Sequence, residues 1–394
     1  MSRFIIIVMD SVGVGALPDA AEYGDPACNT LGHIAEQAEL RLPCMQRLGL
    51  GNILPLRGVE PQSRPLGAYG KAAAKSRGMD TTCGHWEIAG LLLDRPLPTF
   101  PHGFPPQLLD RLSAVWGRGV IGNRVASGTQ IVSELGEQHQ QSGALIVYTS
   151  ADSVMQIAAH TDTVPIEELY DICRQARALL SGDYGVGRVI ARPFTGSPGA
   201  YRRTEQRQDF SLDPPPHGLL QVAQEGGAQV VAIGKINDVF AGRHIDAALE
   251  GHNNRQTLTS LAKALRERQQ RALIFANCVD FDTLYGHRND VAGYARALME
   301  FDSGLEQLLP LLHEDDILAV TADHGNDPTT GGTDHNREYA PLLLYGAGVK
   351  AIDLGIRGSF ADLGATAADY LGCAALPAGE SFLPLIADHS RRKR

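Results

Sequence analysis

Short runs of apolar residues recur along the chain, and several of them end near an acidic side chain. Residues 4–9 precede Asp10, and residues 316–320 precede the segment that contains Asp323. Runs of this length without alternating polar positions are typical of strands covered on both faces of a sheet. The same pattern predicts further strands at residues 144–148, 186–194, 228–235 and 272–280.

Segments of helical character lie between these runs. We predict helices at residues 30–40, 108–115, 164–180 and 290–312. Strands that alternate with helices are typical of an α/β fold, in which a mainly parallel sheet lies between helices. Ligands bind beyond the carboxyl ends of the strands in such sheets. The residues that follow each apolar run are therefore the first candidates for function.

Prolines divide the chain into segments. Closely spaced prolines between Pro96 and Pro106 follow the early elements, and a proline run at residues 214–216 precedes the later ones. At 394 residues the chain is longer than a usual single core requires. We therefore predict a core formed by residues 1–97 and 216–394, with a smaller α/β domain inserted at residues 98–215.

Composition narrows the classes of function. Hydrophobic residues make up 43% and charged residues 20%, as in ordinary globular proteins. The net charge of -10 disfavours a nucleic-acid-binding surface, and residues 4–9 are too few to span a membrane. The six cysteines form no C-x-x-C pair, which suits reduced thiols in a cytosol. We predict a cytoplasmic protein without nucleic-acid or membrane partners, with residues 391–394 as a solvated basic tail. The sequence leaves the oligomeric state open, with a monomer as one option.

A loop rich in metal-binding side chains follows residues 316–320. It contains Asp323, His324 and His335, and a Gly-Gly pair at residues 331–332 lets the chain fold back. Carboxylate oxygen with imidazole nitrogen suits manganese, zinc or iron better than calcium, which prefers oxygen ligands. The alternative is a polar surface loop with two unrelated histidines.

Three carboxylates are predicted to meet at one edge of the sheet, because Asp10, Asp282 and Asp323 each follow an apolar run. Clustered carboxylates repel one another unless cations or protons neutralise them. Nearby histidines are suitable additional ligands, and the number of ligands fits two divalent ions. The candidate metal ligands are Asp10, Asp282, His287, Asp323, His324 and His335.

The segment at residues 75–87 holds the best candidate for a nucleophile, in the pair Thr81-Thr82. A hydroxyl bound to a metal ion loses its proton near neutral pH, which makes it a nucleophile. The alternative is that Thr81 or Asp80 caps a helix that begins near Gly84. His85 is interpreted as a packing or supporting group.

A local basic cluster stands out in this acidic chain, at Arg202, Arg203 and Arg207. Guanidinium groups bind phosphate through paired hydrogen bonds, so a phosphorylated substrate is one interpretation. A solvated loop whose arginines pair with nearby acids is the alternative.

Several motifs together resemble the phosphopentomutases of the alkaline phosphatase superfamily, and the resemblance runs nearly end to end. These motifs are MDSVGVG, TLGHI, DTTCGHWEIAG, YTSADSVMQIAAH, GRVIARPF, GKIND, VDFDTLYGH and TADHGNDPTTGGTDH. The resemblance implies that Thr81 carries phosphate in the active enzyme, and that two Mn²⁺ ions are bound. It assigns Asp10, Asp323 and His324, with the Thr81 oxygen, to one ion, and Asp282, His287 and His335 to the other.

The resemblance also implies an alkaline-phosphatase-like core with an inserted cap domain. It places Asp152, Arg188 and Lys235 around the sugar phosphate, with Arg203 and Arg207 nearby. The sequence departs from the family pattern at Gln206 and Gln208, so contacts from these two positions stay open.

The implied reaction interconverts ribose 1-phosphate and ribose 5-phosphate, and the 2-deoxyribose equivalents. It proceeds through a phosphothreonine and a bisphosphate intermediate, and glucose 1,6-bisphosphate or ribose 1,5-bisphosphate activates the enzyme. One alternative is a two-metal phosphatase or phosphodiesterase acting on sugar phosphates, with water as the acceptor. The other is a non-catalytic phosphosugar-binding protein, which a lost metal ligand would mark.

Overall fold

The computed structural model describes residues 2–150, 152–267 and 270–388. These residues form two compact units. One unit contains the described residues up to Pro96 together with those from Pro214 onward, and the other is Leu97–Asp213. The predicted basic tail at residues 391–394 lies outside the described residues. Within the described ranges, no helix is both long enough and apolar enough to cross a membrane.

Strands and helices alternate along much of the described chain. The strands are β1 (Arg3–Met9), β2 (Ala68–Ala72), β3 (Val120–Val125), β4 (Leu145–Thr149), β5 (Val154–His160), β6 (Arg188–Thr195), β7 (Arg202–Arg203), β8 (Gln208–Ser211), β9 (Gln229–Ile233), β10 (Ala247–Leu249), β11 (Ala272–Cys278), β12 (Asp316–Thr321), β13 (Ala340–Tyr345) and β14 (Asp353–Arg357). The α-helices are α1 (Thr30–Gln37), α2 (Pro43–Leu48), α3 (Leu50–Ile53), α4 (Thr81–Ile88), α5 (Pro106–Trp116), α6 (Gly128–Ser142), α7 (Ile166–Leu179), α8 (Leu219–Glu225), α9 (Ile236–Val239), α10 (Asn254–Glu267), α11 (Val291–Leu308), α12 (Ala361–Tyr370) and α13 (Leu383–Ile386).

The first unit is built on a mixed, mostly parallel sheet. Its strand order is β10-β9-β11-β1-β12-β13-β2-β14, and the pairs from β10 to β12 are all parallel. Strands β1, β11 and β12 are buried along their whole length, as expected for a sheet covered by helices on both faces. The predicted α/β fold with a mainly parallel sheet is confirmed.

The strand register decides what lies at the carboxyl edge of this sheet. Met9 pairs with Cys278 of β11, and Val8 pairs with Thr321 of β12. The three strands therefore end at the same level, with β1 in the middle. Asp10 follows β1 directly, and the loops that carry Asp282 and Asp323 leave the two neighbouring strands.

The second unit has its own sheet, in the order β3-β4-β5-β6-β7, with β8 also paired to β6. Alternate residues of β4 enter different cores. Leu145 packs with residues of α5 and α7, whereas Ile146 packs with residues of α6. Since successive side chains of a strand point to opposite faces, α5 and α7 cover one face of the sheet and α6 covers the other.

Some element boundaries differ from the sequence predictions, in two cases where glycine or proline intervenes. The strand predicted to reach residue 235 ends at Ile233, because Gly234 has a φ of 71° and turns the chain. The helix predicted to reach residue 312 ends at Leu308 and continues as a 3-10 turn, Leu309–Leu311. Pro310 lacks the amide hydrogen that the α-helix would need there.

Candidate functional site

One group of charged side chains forms where β1 and β12 end. His324 Nε2 lies 3.3 Å from Asp10 Oδ1 and 3.3 Å from Asp323 Oδ2. The ligand atoms of these three residues all lie within 4.8 Å of one another. The side chains are almost completely buried, and Asp10 Oδ1 makes no hydrogen bond within the described residues. A buried carboxylate oxygen without a donor is costly, so this group fits a divalent cation.

A second group forms after β11, on a π-helical turn, Phe281–Tyr285. Asp282 Oδ1 lies 3.4 Å from His335 Nε2, and Asp282 Oδ2 lies 3.3 Å from His287 Nε2. His335 Nε2 has no hydrogen-bond partner in the described part of the chain. The donor set of one carboxylate and two imidazoles again fits a transition-metal ion.

His324 lies between the two groups. By distance it also belongs with Asp282 and His335, and its ring centroid is 4.1 Å from that of His335. The predicted division, with His324 on the first ion alone, therefore does not follow from distance by itself. The 3.3 Å contacts of His324 Nε2 with Asp10 and Asp323 favour the first group.

Thr81 is the first residue of α4. Asp80 caps this helix by accepting hydrogen bonds from the Thr82 and Cys83 amides. The capping interpretation is thus right for Asp80 and wrong for Thr81, and the helix begins earlier than Gly84. Thr81 Oγ1 instead lies 3.5 Å from His324 Nε2. The start of a helix favours negative charge, which suits a phosphate carried there.

Lys235 adds a positive charge to the site. It follows the turn at Gly234, and its Nζ lies 2.9 Å from Thr81 Oγ1 and 3.4 Å from Asp10 Oδ2. Burial by itself would raise the pKa of the Asp10 carboxyl, but Lys235 and His324 outweigh it and hold that pKa well below its usual range. Asp10 is therefore ionised at neutral pH.

The neighbouring carboxylates raise the pKa of His324. Burial disfavours the charged imidazole, yet Asp323, Asp10 and Asp282 together raise its pKa to about 10. The Asp282 pKa is lowered, because His335 and His287 offset the effect of burial. The two groups thus form one electrostatically linked site.

Several supporting residues were not found from the sequence. Asn277 Nδ2 donates to Asp10 Oδ2 at 2.9 Å, and the Ser11 amide donates to Asp323 Oδ1 at 3.1 Å. His85 was already interpreted from the sequence as a packing or supporting group, and its Nδ1 lies 3.0 Å from Asp323 Oδ2 and 2.9 Å from the Thr81 carbonyl oxygen. Asn277 is a polar residue inside the apolar strand β11, a signal that could have identified it. Ser11 gives no such signal, because its role comes from its backbone.

The remaining predicted residues lie in the second unit. Arg188 Nη2 is 3.9 Å from Asp152 Oδ2, and Arg188 Nη1 is 3.5 Å from Asp209 Oδ2. Arg207 donates two hydrogen bonds of 2.7 Å to Asp209, an acid that the sequence analysis did not single out. Arg203 and Arg207 line one cavity. The two open positions, 206 and 208, are exposed.

Sequence comparison with known proteins identifies the family of this chain. The model of the metalloenzyme superfamily matches residues 2–375. The match with a structure of phosphoglycerate mutase from Leishmania mexicana covers 96% of this chain and 97% of that chain, at 13% identity and a TM-score of 0.49. The phosphopentomutase of Caldanaerobacter subterraneus subsp. tengcongensis is 52% identical over 384 residues, which is 97% of this chain and 98% of that protein. The phosphopentomutase of Desulfitobacterium hafniense is 54% identical over 385 residues, which is 97% of this chain and 99% of that protein. The chain belongs to the phosphopentomutase family, within the metalloenzyme superfamily.

Proposed function

We propose that the protein is an isomerase that interconverts ribose 1-phosphate and ribose 5-phosphate, and the 2-deoxyribose equivalents. The observation that carries the proposal is the position of Thr81 Oγ1, at a helix start, 2.9 Å from Lys235 Nζ and 3.5 Å from His324 Nε2. Relatives named phosphopentomutase, more than half identical over nearly the full length, support it.

The proposed metal complement is two Mn²⁺ ions. Asp10, Asp323 and His324, with Thr81 Oγ1, would hold one ion, and Asp282, His287 and His335 would hold the other. The bound ions would supply positive charge at the phosphoryl oxygens and lower the pKa of the threonine hydroxyl. The partnerless buried atoms Asp10 Oδ1 and His335 Nε2 support this assignment.

The chain's own residues position the phosphoryl group. In the resting form Thr81 would carry it as a phosphothreonine, loaded from glucose 1,6-bisphosphate or ribose 1,5-bisphosphate. The free hydroxyl of the sugar monophosphate attacks phosphorus and the bond from phosphorus to Thr81 Oγ1 breaks. The hydroxyl proton passes to solvent, which leaves Thr81 Oγ1 negatively charged. Lys235 would stabilise the negative charge on Oγ1 and on the phosphoryl oxygens during this transfer.

The resulting sugar bisphosphate returns its other phosphate to Thr81, which restores the phosphothreonine and releases the isomer. In the second unit, Asp152 and Arg188 would bind the sugar phosphate, and Arg203 and Arg207 would bind a phosphate group. We assign the first unit as the core domain and the second as the inserted domain predicted at residues 98–215. The proposed cytoplasmic location is supported by the six free cysteines.

The test is to incubate manganese-loaded protein with glucose 1,6-bisphosphate and ribose 5-phosphate. We expect ribose 1-phosphate to form and the peptide that contains Thr81 to gain the mass of one phosphate. Thr81→Ala should lose both signals, whereas Thr82→Ala, one residue away, should keep the modified peptide. Release of free phosphate at the rate of sugar-phosphate turnover would instead identify a phosphatase, and binding without turnover would identify a non-catalytic protein.

A further inference from the structure

A cavity of about 240 Å³ lies within the second unit and is lined mainly by polar side chains. Its lining residues are Arg192, Pro193, Arg203, Thr204, Glu205 and Arg207. Three guanidinium groups against one carboxylate leave an excess of positive charge. Arginine-lined cavities with such an excess suit phosphate groups, because the planar guanidinium donates paired hydrogen bonds to phosphate oxygens.

Arg192 is held in this cavity by a neighbouring strand. Its Nε donates to Gln156 Oε1 at 3.0 Å. Gln156 lies on β5, which pairs in parallel with β6, the strand that carries Arg192. Gln156 is only 7% exposed, so its amide is fixed by the surrounding sheet. A functional group held on strands is positioned more accurately than one on a loop.

The charges around Arg192 are unbalanced. Arg207 is paired with Asp209, whereas Arg192 forms no ion pair within the described residues. Burial lowers the pKa of Arg192, the nearby charges of Arg207 and Arg203 lower it further, and Tyr148 and Asp209 act in the opposite direction. Like charges that meet in a partly buried place repel one another unless an anion lies between them.

Tyr148 is the other polar group that faces these arginines. The residue is fully buried, and its hydroxyl lies close to the Arg192 guanidinium. Burial raises its pKa, while Arg192, Arg203 and Arg207 act in the opposite direction. A buried hydroxyl beside three cations is a polar place in which a ligand oxygen could accept hydrogen bonds.

We propose that Arg192 is a further phosphate-binding residue, which completes with Arg203 and Arg207 a site for one phosphate monoester group of the sugar phosphate. Gln156 is the positioning residue that orients the Arg192 guanidinium. This inference rests on the proposed mutase function, since that function requires the second unit to bind a phosphate group of the sugar phosphate.

The experiment compares full-length, manganese-loaded variants with the wild type. Arg192→Gln removes the charge, Arg192→Lys keeps the charge without the planar fork, and Gln156→Leu removes only the acceptor. Arg174→Gln is the matched control, because Arg174 is an exposed arginine of the same unit that pairs with Asp171. For each variant, kcat and KM are measured with ribose 5-phosphate at saturating glucose 1,6-bisphosphate. Ribose 5-phosphate binding is measured separately by calorimetry.

Arg192→Gln should raise KM and the dissociation constant roughly 10- to 100-fold, the usual range for a lost charge-assisted hydrogen bond. Arg192→Lys should raise them about 3- to 10-fold, because a point charge replaces the fork. Gln156→Leu should raise KM by a factor similar to that of Arg192→Lys and leave kcat nearly unchanged. The Gln156→Leu/Arg192→Gln double variant should be no worse than Arg192→Gln alone, since both act on one contact.

If Arg192→Lys and a folded Arg192→Gln both have the KM of the wild type, the assignment of Arg192 is wrong. If Arg192→Gln does not fold, the Lys variant alone decides. Additive effects in the double variant would remove Gln156 from its positioning role. Failure of the mutase function is distinguishable, because a wild type that releases free phosphate would still bind ribose 5-phosphate more tightly than the Arg192 variants do.

Discussion

Lys235 Nζ lies 2.9 Å from Thr81 Oγ1 and 3.4 Å from Asp10 Oδ2, so one ammonium group contacts both a hydroxyl and a carboxylate. The left-handed turn at Gly234 makes this possible, because it redirects the chain immediately after β9. Lys235 therefore links the end of β9, the end of β1 and the start of α4 at the oxygen proposed to carry phosphate.

Lys235→Met should lower kcat roughly 100- to 1,000-fold, because a positive group that stabilises developing charge is lost. KM for ribose 5-phosphate should change far less. The mutase assay measures both values, and Lys263→Met, an exposed lysine on α10, is the control. A kcat within about twofold of the wild type would show that Lys235 does not act on the reacting group.

Asn277→Leu should weaken manganese binding roughly 10- to 100-fold, the usual cost of removing a group that orients a metal ligand. The variant loses the 2.9 Å hydrogen bond to Asp10 Oδ2. Titration calorimetry of the metal-free protein measures the affinity. Asn52→Ala is the control, because Asn52 hydrogen-bonds to Gln62 in another part of the first unit. Equal affinities in the two variants would contradict the prediction.

The free energy of unfolding of the second unit should decrease in mild acid because of His139. Its Nδ1 hydrogen donates to the Ala144 carbonyl at 2.6 Å, and its Nε2 accepts from the His160 amide at 2.9 Å. Burial lowers the pKa of His139 below its usual 6.5. Between that lowered value and pH 6.5, the unfolded chain binds a proton that the folded chain does not, so the free energy of unfolding falls as the pH falls.

His139→Gln tests this pH dependence, because glutamine can donate to Ala144 and accept from His160 but cannot titrate. Denaturant unfolding of the wild type and the variant is compared from pH 8 to pH 5. At pH 8 the variant should have a lower free energy of unfolding than the wild type, and this difference should shrink as the pH falls below about 6.5. Parallel stability curves across this range would rule out a contribution from His139.

Asp316→Ala should destabilise the first unit by about 3–5 kcal/mol, because it leaves the buried Arg3 guanidinium without its carboxylate. Both residues are 1% exposed, and Arg3 Nε donates to Asp316 Oδ1 at 2.9 Å. The free energy of unfolding in urea measures the effect. The double variant Arg3→Met/Asp316→Leu should be more stable than Asp316→Ala, since no charge remains buried. A double variant less stable than the single one would contradict this account.

Much of the site's framework could be predicted from the chain alone. Apolar runs that end in Asp10 and near Asp282 and Asp323 indicated parallel strands with carboxylates at one edge, and the register of β1 with β11 and β12 produces that arrangement. Local patterns sufficed here, because a strand buried on both faces is mostly apolar, so that most polar side chains lie at its ends. The histidines and the Thr81-Thr82 pair became candidates through residue type and position, whereas the roles of Thr81 and Lys235 came from motifs that resemble a known family.

Tertiary structure alone decided the contacts between residues distant in sequence. Asn277 reaches Asp10 because β11 and β1 are paired, and His85 reaches Asp323 because α4 lies against the loop after β12. The position of His324 between both acidic groups and the Arg192–Gln156 contact arise in the same way. A linear pattern records which face or end of an element a residue occupies. Which partner it meets there depends on strand order and register, which only the assembled sheet determines.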